Sequence, residues 1–214
     1  MRSKNAFSKA LMLNVGCSMG KRSTGFVRRE RDFYETPYSA VLPLIPHLHG
    51  VSTFAEPCAG NGALVGHLQK HGLVCTYEGD ISYGYDALSY RFEADAVFDA
   101  IISNVPWRRD LLHPMITLFQ RIAPTWMLFD SDWAYTKQAA PYLPHCSHIV
   151  AVGRVKWIEG TKHTGKDNAA WYRFHNQHVD GPRFIGPAVK EVHEPVRFRG
   201  TIRRRCDAHS GVRL

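Results

Sequence analysis

Apolar and polar residues alternate along the chain in blocks that indicate an α/β protein. Short apolar runs with the length of buried strands end in polar or glycine-rich stretches: VSTFAEP (51–57), LVCTYEGD (73–80), VFDAIISNV (97–105) and TWMLFDSD (125–132). Helical spacing of apolar residues follows in GALVGHLQKHG (62–72) and RDLLHPMITLFQRIA (109–123). This order predicts a mostly parallel central sheet with helices on both faces, and ligands bound at the carboxyl ends of the strands.

The segments on either side of this alternation have other patterns. TPYSAVLPLIPHL (36–48) has helical spacing interrupted by two prolines, which predicts a short, kinked helix. AYTKQAAPYL (134–143) is helical in composition. The β-rich segments SHIVAVGRVKWI (147–158) and NAAWYRFH (168–175) predict an antiparallel C-terminal hairpin. From about Asp180, scattered Pro, Gly and Arg predict irregular structure.

Composition and charge add three expectations. With 214 residues, 44% of them hydrophobic, the chain fits one globular domain, and its apolar runs are too short to cross a membrane. The five cysteines are dispersed and the histidines have no repeated ligand spacing, which favours the reducing cytoplasm and no metal. The net charge of +8 is concentrated at the two ends. We therefore expect a basic arm (1–31), a central domain (32–178) and a basic C-terminal segment (179–214) that face a polyanion such as nucleic acid.

The glycine-rich stretch EPCAGNG (56–62) lies between a strand and a helix, where the chain must turn sharply and a ligand can approach the backbone. It lacks the Gly-Lys-Ser/Thr of a Walker loop. A carboxylate at Glu56 would repel a pyrophosphate and suits a ligand with an ammonium group, such as S-adenosylmethionine. The candidate cofactor-binding residues of this turn are Glu56, Pro57, Ala59, Gly60 and Gly62.

The next strand ends in EGDIS (78–82), an acidic end that suits the two hydroxyls of a ribose. Asp80 is the first candidate for this role and Glu78 the second. Ile81 could pack on an adenine face, and Asp86 could reach the adenine amino group. For each acid alone, surface solubility or helix capping is the competing explanation.

These motifs together resemble a known family. DFYETPYSAV, FAEPCAGNG, EGDIS and FDAIISNVPW, in that order, resemble the motifs of class I S-adenosylmethionine-dependent methyltransferases between Asp32 and about Phe174. They resemble most the bacterial and phage adenine-specific (N6) DNA methyltransferases that have an N-terminal cofactor motif. The resemblance implies a Rossmann-like class I methyltransferase fold and S-adenosylmethionine as cofactor. It also implies cofactor contacts from Thr36 and Pro37, with Tyr34 as a further candidate.

The stretch SNVPW (103–107) stands where the family has Asn or Asp, Pro, Pro and an aromatic residue. Asn104 Oδ1 and the backbone carbonyl of Val105 can accept hydrogen bonds from an exocyclic amine. Trp107 can stack on an extruded base, a contact worth about 1–3 kcal/mol. Val105 replaces a proline that restricts the backbone and supplies no catalytic atom, so we interpret Asn104, Val105, Pro106 and Trp107 as a working variant. The alternatives are an ordinary proline turn beside a core tryptophan, or an inactive relative that still binds cofactor.

Nucleic acid would be held by cationic residues near these motifs. The candidates lie after the NVPW motif and on the connector EGTKHTGKD (159–167) with its flank: Arg108, Arg109, Lys156, Lys162, His163 and Lys166. The predicted function is methylation of the adenine N6 amine in DNA, and the phage resemblance suggests restriction evasion in a bacterial cytoplasm. The open alternatives are adenine in RNA, cytosine N4, a glutamine amide in a protein, or a non-catalytic nucleic-acid-binding protein on the same fold.

Overall fold

The computed structural model describes residues 34–89, 91–94, 96–158 and 164–187. Seven strands in these ranges form one sheet: β1 Thr53–Glu56, β2 Val74–Glu78, β3 Ala100–Ser103, β4 Thr125–Asp130, β5 Cys146–Arg154, β6 Asn168–Phe174 and β7 Arg183–Ile185. The α-helices are α1 Tyr38–Val41, α2 Ala63–Gln69 and α3 Arg109–Ile122. The 3-10 turns are Ile45–His47, Ile81–Tyr83, Phe92–Ala94, Ser131–Tyr135 and Leu143–His145. None of the described helices is long and apolar enough to span a bilayer.

The strands are arranged in the order β2-β1-β3-β4-β6-β5-β7. β1 pairs in parallel with both β2 and β3, and β3 pairs in parallel with β4. β6 lies antiparallel between β4 and β5, and β7 pairs in parallel with β5. The predicted Rossmann-like architecture, a mostly parallel central sheet with an antiparallel C-terminal hairpin, is therefore confirmed.

The chain crosses from one side of β1 to the other between β2 and β3. β2 is the neighbour of β1 on one side, and β3, the next strand in sequence, is its neighbour on the other side. In open α/β sheets such a reversal opens a crevice beyond the carboxyl ends of the two strands, and ligands bind there. Because β1 ends at Glu56 and β3 at Ser103, the glycine turn and the NVPW motif both leave the sheet at this crevice.

Both faces of the sheet are covered by apolar side chains. One cluster packs α1 and α2 against the sheet through residues such as Val41 and Leu68, and the other contains Ile116 and Phe119 of α3. Burial of a large apolar side chain of this kind stabilises the fold by about 1.5–3 kcal/mol. Trp171 of β6 joins the first cluster and donates a buried hydrogen bond of 2.8 Å from Nε1 to the carbonyl of Ala40. The C-terminal hairpin therefore holds the N-terminal helix in place.

Two elements differ from the sequence predictions. The helix expected over 134–143 is replaced by turns, because Thr136 has extended backbone and Pro141 lacks the N–H that a helix would need. The irregular structure expected from about Asp180 is wrong for β7, which pairs with the open edge of β5. Three residues are too few for a periodic pattern, so this strand has no signal in the sequence.

Candidate active site

The glycine turn is held in a conformation that only glycine adopts without strain. Gly60 and Gly62 have φ angles of 59° and 78°. The N–H of Ala59 donates to the carbonyl of Gly79 at 2.9 Å, and the N–H of Gly60 donates to Asp80 Oδ2 at 2.9 Å. These bonds tie the turn to the end of β2, so the ends of β1 and β2 form one rigid wall of the crevice.

The position of Gly62 has too little room for a side chain. A Cβ atom built on this residue would lie 2.9 Å from Glu78 Oε1, at the exposed carboxyl end of β2. The backbone of the turn and the Glu78 carboxylate can therefore approach the same ligand. Pro57 and Ala59, the other predicted residues of this turn, are buried beneath it.

We expect Gly62→Ala to reduce both stability and ligand binding. An alanine at a φ of 78° costs roughly 1–2 kcal/mol of unfolding free energy, and its Cβ displaces the Glu78 carboxylate. Urea denaturation and calorimetry with S-adenosylmethionine measure the two effects. Gly66→Ala is the matched control, because Gly66 lies inside α2 with open space around its Cα. That variant should gain about 0.5–1 kcal/mol; equal losses in both variants would contradict the assignment.

Glu56 is buried at the end of β1, in the floor of the crevice. Its Oε1 accepts a hydrogen bond of 2.8 Å from Ser103 Oγ and one of 3.1 Å from the N–H of Cys58. Its Oε2 is buried and has no hydrogen-bond partner among the described residues. A buried carboxylate oxygen without a donor is costly, so this atom indicates a position for a cationic or N–H-bearing group.

The burial of Glu56 also changes its titration. Removal from water raises the pKa of this carboxyl to about 8, against the opposing effect of the hydrogen bonds from Ser103 and Cys58, and the nearby carboxylates of Asp80 and Glu78 add to the increase. Near neutral pH the side chain is therefore mostly protonated. A cation placed at Oε2 would favour the charged form and displace that proton.

The acidic residues after β2 occupy different environments. Both oxygens of Asp80 are used locally: Oδ1 accepts from the N–H and hydroxyl of Ser82, and Oδ2 accepts from Gly60. The Glu78 side chain is exposed beside Gly62, which makes Glu78 the better-placed acceptor for a ligand hydroxyl. Ile81 is 55% exposed and offers an apolar surface. Asp86 caps a turn by accepting from the N–H of Leu88.

The N-terminal TP element meets the NVPW motif directly. Asn104 Nδ2 donates a hydrogen bond of 3.0 Å to Thr36 Oγ1, across a separation of 68 residues. Thr36 is buried, so its hydroxyl holds the Asn104 amide from the protein interior. With Nδ2 engaged, no donor among the described residues approaches Asn104 Oδ1. The amide thus offers an oriented acceptor at the crevice, next to the strand end that carries Ser103 and Glu56.

The rest of the motif supports this amide and borders the crevice with aromatic rings. The Val105 side chain is buried, which leaves its carbonyl as its functional group, and Pro106 is half-buried. Trp107 packs edge-on against Trp157 with ring centroids 5.7 Å apart, and Trp157 lies 6.4 Å from Tyr34. Trp157 thus joins two aromatic residues from distant segments, one of which, Trp107, follows Asn104 by three residues.

The predicted nucleic-acid contacts are dispersed around this region. Arg108 pairs with Asp110 at 2.5 Å, and Arg109 pairs with Asp130 at 3.2 Å, so both guanidinium groups already contact carboxylates. Lys156 and Lys166 are exposed near Trp157 in sequence. The other two candidates, Lys162 and His163, lie outside the described residues, as do the basic arm 1–31 and residues 188–214.

Sequence reasoning missed the residues that join the motifs. Ser103 is the first residue of SNVPW, and its hydroxyl bridges β3 to Glu56. A serine at the end of an otherwise apolar strand was the available signal, because a buried hydroxyl requires a partner. The contact between Thr36 and Asn104 had no local signal, since it depends on tertiary packing. The contact between Trp107 and Trp157 likewise depends on tertiary packing.

The crevice has two chemically distinct parts. One consists of the glycine turn, the unpartnered oxygen of Glu56, and the exposed end of β2 with Glu78 and Ile81, which fit a nucleoside bearing an ammonium group. The other consists of the amide of Asn104 and the aromatic rings, which fit a planar group with an amine. Because β1 and β3 are adjacent, the two parts can hold two reactants side by side.

The sequence matches no protein-family model and no curated protein. The fold is similar to that of a candidate RNA methyltransferase from Pyrococcus horikoshii, at 16% identity over 70% of this chain and 89% of that one, with a TM-score of 0.47. A candidate class I S-adenosylmethionine-dependent methyltransferase from Listeria monocytogenes is 11% identical over 80% of this chain and 70% of that one, with a TM-score of 0.49. A precorrin-6y C5,15-methyltransferase from Geobacter metallireducens is 10% identical over 64% and 87%, with a TM-score of 0.39. These similarities concern the general fold alone.

Proposed function

We propose that this protein transfers a methyl group from S-adenosylmethionine to the exocyclic N6 amine of adenine in DNA. The observation that carries the proposal is the oriented amide of Asn104. Its Nδ2 is held by Thr36, its Oδ1 has no donor among the described residues, and the strand before it is bonded to the buried carboxylate of Glu56. An acceptor for an amine thus lies next to a position for a cationic cofactor, in the crevice where an open α/β sheet binds its ligands.

The residues present fit this cofactor. Glu56 Oε2 would receive the ammonium of its methionine part, and the backbone around Gly60 and Gly62 allows close approach. Glu78 would accept from the ribose hydroxyls, with Asp80 holding the turn, and Ile81 would cover the adenine. When bound, the cofactor supplies an electrophilic methyl group on a sulfonium. The chain itself supplies orientation and charge complementarity.

The acceptor amine needs two hydrogen-bond acceptors, because its lone pair is delocalised into the base. Asn104 Oδ1 takes one N–H and the carbonyl of Val105 takes the other, which favours a pyramidal nitrogen and complements the positive charge that develops on it. Trp107 and Trp157 provide faces or edges for the extruded base. This arrangement serves any planar exocyclic amine.

The choice of DNA rests on charge. The chain has a net charge of +8, and Lys156 and Lys166 are exposed on the segments that flank Trp157. Phosphate contacts of this kind make affinity depend steeply on salt. Adenine in RNA and cytosine N4 present the same amine chemistry and are outcomes of the test below.

The experiment is transfer of tritium from methyl-labelled S-adenosylmethionine to DNA, RNA and a protein mixture, followed by nucleoside analysis. We expect label in N6-methyladenine from DNA. Label in RNA adenine or in cytosine would retain the methyltransferase and change its acceptor. Absence of labelled product from every acceptor, together with no calorimetric binding of the cofactor, would reject the proposal in favour of a non-catalytic role.

A further inference from the structure

A cavity of about 450 Å³ lies at the amino ends of the sheet strands, whereas the crevice lies at their carboxyl ends. Val51, Asp99 and Pro124, which precede β1, β3 and β4, line it at the amino ends of these strands. Its remaining wall includes His148 and Arg173. The cavity therefore shares none of its lining with the glycine turn or with Asn104.

Three lining residues of this cavity, Trp126, Arg173 and His148, belong to a row of residues that lie opposite one another on neighbouring strands, and the row continues to Arg183 beside the cavity. Trp126 of β4 pairs with Arg173 of β6, Arg173 pairs with His148 of β5, and His148 pairs with Arg183 of β7. Opposite residues of the antiparallel strands β5 and β6 share a face, with Cβ atoms about 4.5–5.5 Å apart, and like charges in such positions are destabilising. Arg183, opposite His148 on the parallel neighbour β7, adds a second positive charge. Two arginines flanking a histidine thus form an unfavourable row when the histidine is protonated.

Within the described residues, the carboxylate that lines the cavity, Asp99, forms no ion pair with Arg173 or Arg183. Arg173 donates from NH1 to the neutral hydroxyl of Ser147 at 3.1 Å, and no ion pair joins Arg173 or Arg183 to an acid there. Asp99 Oδ2 already accepts from the backbone N–H groups of Ser52 and Thr53. Burial lowers the pKa of Arg173, which is the expected effect when a guanidinium loses water without gaining a partner.

The histidines around the cavity respond to the same surroundings. Burial lowers the pKa of His47 and of His148, and neighbouring cations lower both further. The charged and titratable groups that act on this pair or line the cavity are His49, Asp99, Arg173, His178 and Arg183. His175 is affected by Arg173 and His178 in the same direction. An anion in the cavity would oppose these effects by stabilising the protonated imidazoles.

We propose that this cavity binds a phosphate group, with Arg173 and His148 as its donors and Arg183 adding positive charge at the edge. A planar guanidinium matches phosphate geometry through paired N–H groups, which explains an arginine held there without an ion pair. A metal ion does not suit the site, because no three His, Cys, Asp or Glu side chains in the described ranges are grouped to hold one. The inference is independent of the proposed methyl transfer, since the cavity lies at the amino ends of the strands and the crevice at their carboxyl ends.

The test is calorimetric titration of the full chain with inorganic phosphate, with sodium chloride at matched ionic strength as the reference. We expect saturable binding of phosphate at about pH 6 that strengthens as the pH falls toward about 5, because the lowered pKa values of His47 and His148 place the charging of these imidazoles below the ordinary value of about 6.5. Addition of a short DNA oligonucleotide identifies the source of the phosphate. Displacement assigns the site to a nucleic-acid backbone, and lack of displacement assigns it to a small phosphate ester.

Two variants test the residues. Arg173→Gln should raise the dissociation constant for phosphate about tenfold or more, since it removes a charge-assisted donor. Arg183→Gln should raise it less, and because Arg183 is exposed on an edge strand this variant keeps the fold. Arg121→Gln is the matched control: Arg121 is exposed on α3, the helix that packs on the other face, so phosphate binding should be unchanged.

Three results would overturn the proposal. One is an absence of saturable phosphate binding by the wild-type chain at about pH 6. Another is an unchanged dissociation constant in Arg173→Gln and Arg183→Gln variants whose circular dichroism melts show that they are folded. The third is an equal loss of phosphate binding in Arg121→Gln, which would assign the effect to net charge alone.

Discussion

Methyl transfer by the Asn104→Ala variant is expected to be about 100- to 1000-fold slower than by the wild-type protein, the usual loss when one preorganised polar group leaves an active site. Asn104 Oδ1 would accept one N–H of the target amine, and alanine leaves that proton without a partner. Single-turnover transfer of tritium from labelled cofactor measures the rate. Cofactor affinity, measured by calorimetry, should change much less than the rate.

Two further substitutions separate the acceptor from its support. Asn104→Asp keeps an oxygen at the crevice and should retain activity within about tenfold, as expected when the acceptor stays and only its surroundings change. Thr36→Val removes the hydroxyl that holds Nδ2 and should reduce the rate through loss of orientation. Because Asn104 is partly buried, each variant must show a wild-type circular dichroism melt. A folded Asn104→Ala variant with the wild-type rate would remove this residue from the mechanism.

Replacement of Glu56 by glutamine is expected to abolish most cofactor binding and to increase stability at high pH. A glutamine keeps the Oε1 acceptor for Ser103 and Cys58 but has no charge to pair with an ammonium group. Loss of a buried, charge-assisted partner of this kind costs about 2–5 kcal/mol of binding free energy. Calorimetry with S-adenosylmethionine near neutral pH measures this loss.

The stability effect follows from the raised pKa of Glu56. The ordinary value is 4.5 and the folded value is about 8, so between these pH values the folded protein keeps a proton that the unfolded chain has released. The unfolding free energy should therefore decrease as the pH rises from about 4.5 to about 8 and then level off. In Glu56→Gln this contribution is absent. Urea denaturation at several pH values should give a difference between variant and wild-type stabilities that is constant below about pH 4.5, grows in favour of the variant up to about pH 8 and is constant again above it.

Cofactor binding provides an independent check on the same carboxyl. If the ammonium group pairs with Glu56, binding below about pH 8 displaces a proton, and the apparent enthalpy will depend on the ionisation enthalpy of the buffer. Glu56→Gln should lose this buffer dependence. A wild-type stability curve that is flat across the interval would contradict the assigned pKa, whatever the cofactor does.

The fold was predictable because its strands and helices are marked by patterns within single segments. The buried strands β1, β3 and β4 are apolar runs of the right length, and the spacing in α3 buries one side of that helix. The turns at 134–143 were only partly predictable, since alanine, lysine and glutamine favour a helix whereas Pro141 opposes one. The extended backbone of Thr136, which ends the turn containing the buried Trp133, has no signal in the composition.

The parts of the candidate site were also visible in the sequence, but their connections were not. EPCAGNG and SNVPW follow strands, so a common edge could be expected from sheet geometry. The bonds from Ser103 to Glu56 and from Asn104 to Thr36 join residues 47 and 68 positions apart, and a single sequence contains no signal for such pairs. The row of Arg173, His148 and Arg183 was hidden for the same reason, because only the strand register brings these residues together.

The position of β6 between β4 and β5 has a consequence for synthesis on the ribosome. β5 pairs only with β6 and β7 in the described sheet, and both follow it in the chain. A nascent chain that has emerged as far as Arg154 thus exposes the unpaired edges of β4 and β5, and the indole of Trp171 is not yet available to hold α1. The N-terminal segment that carries Thr36 gains its hydrogen bond to Trp171 only after residues near the other end have been translated, so a premature stop within the hairpin would weaken the attachment of this segment beside the crevice.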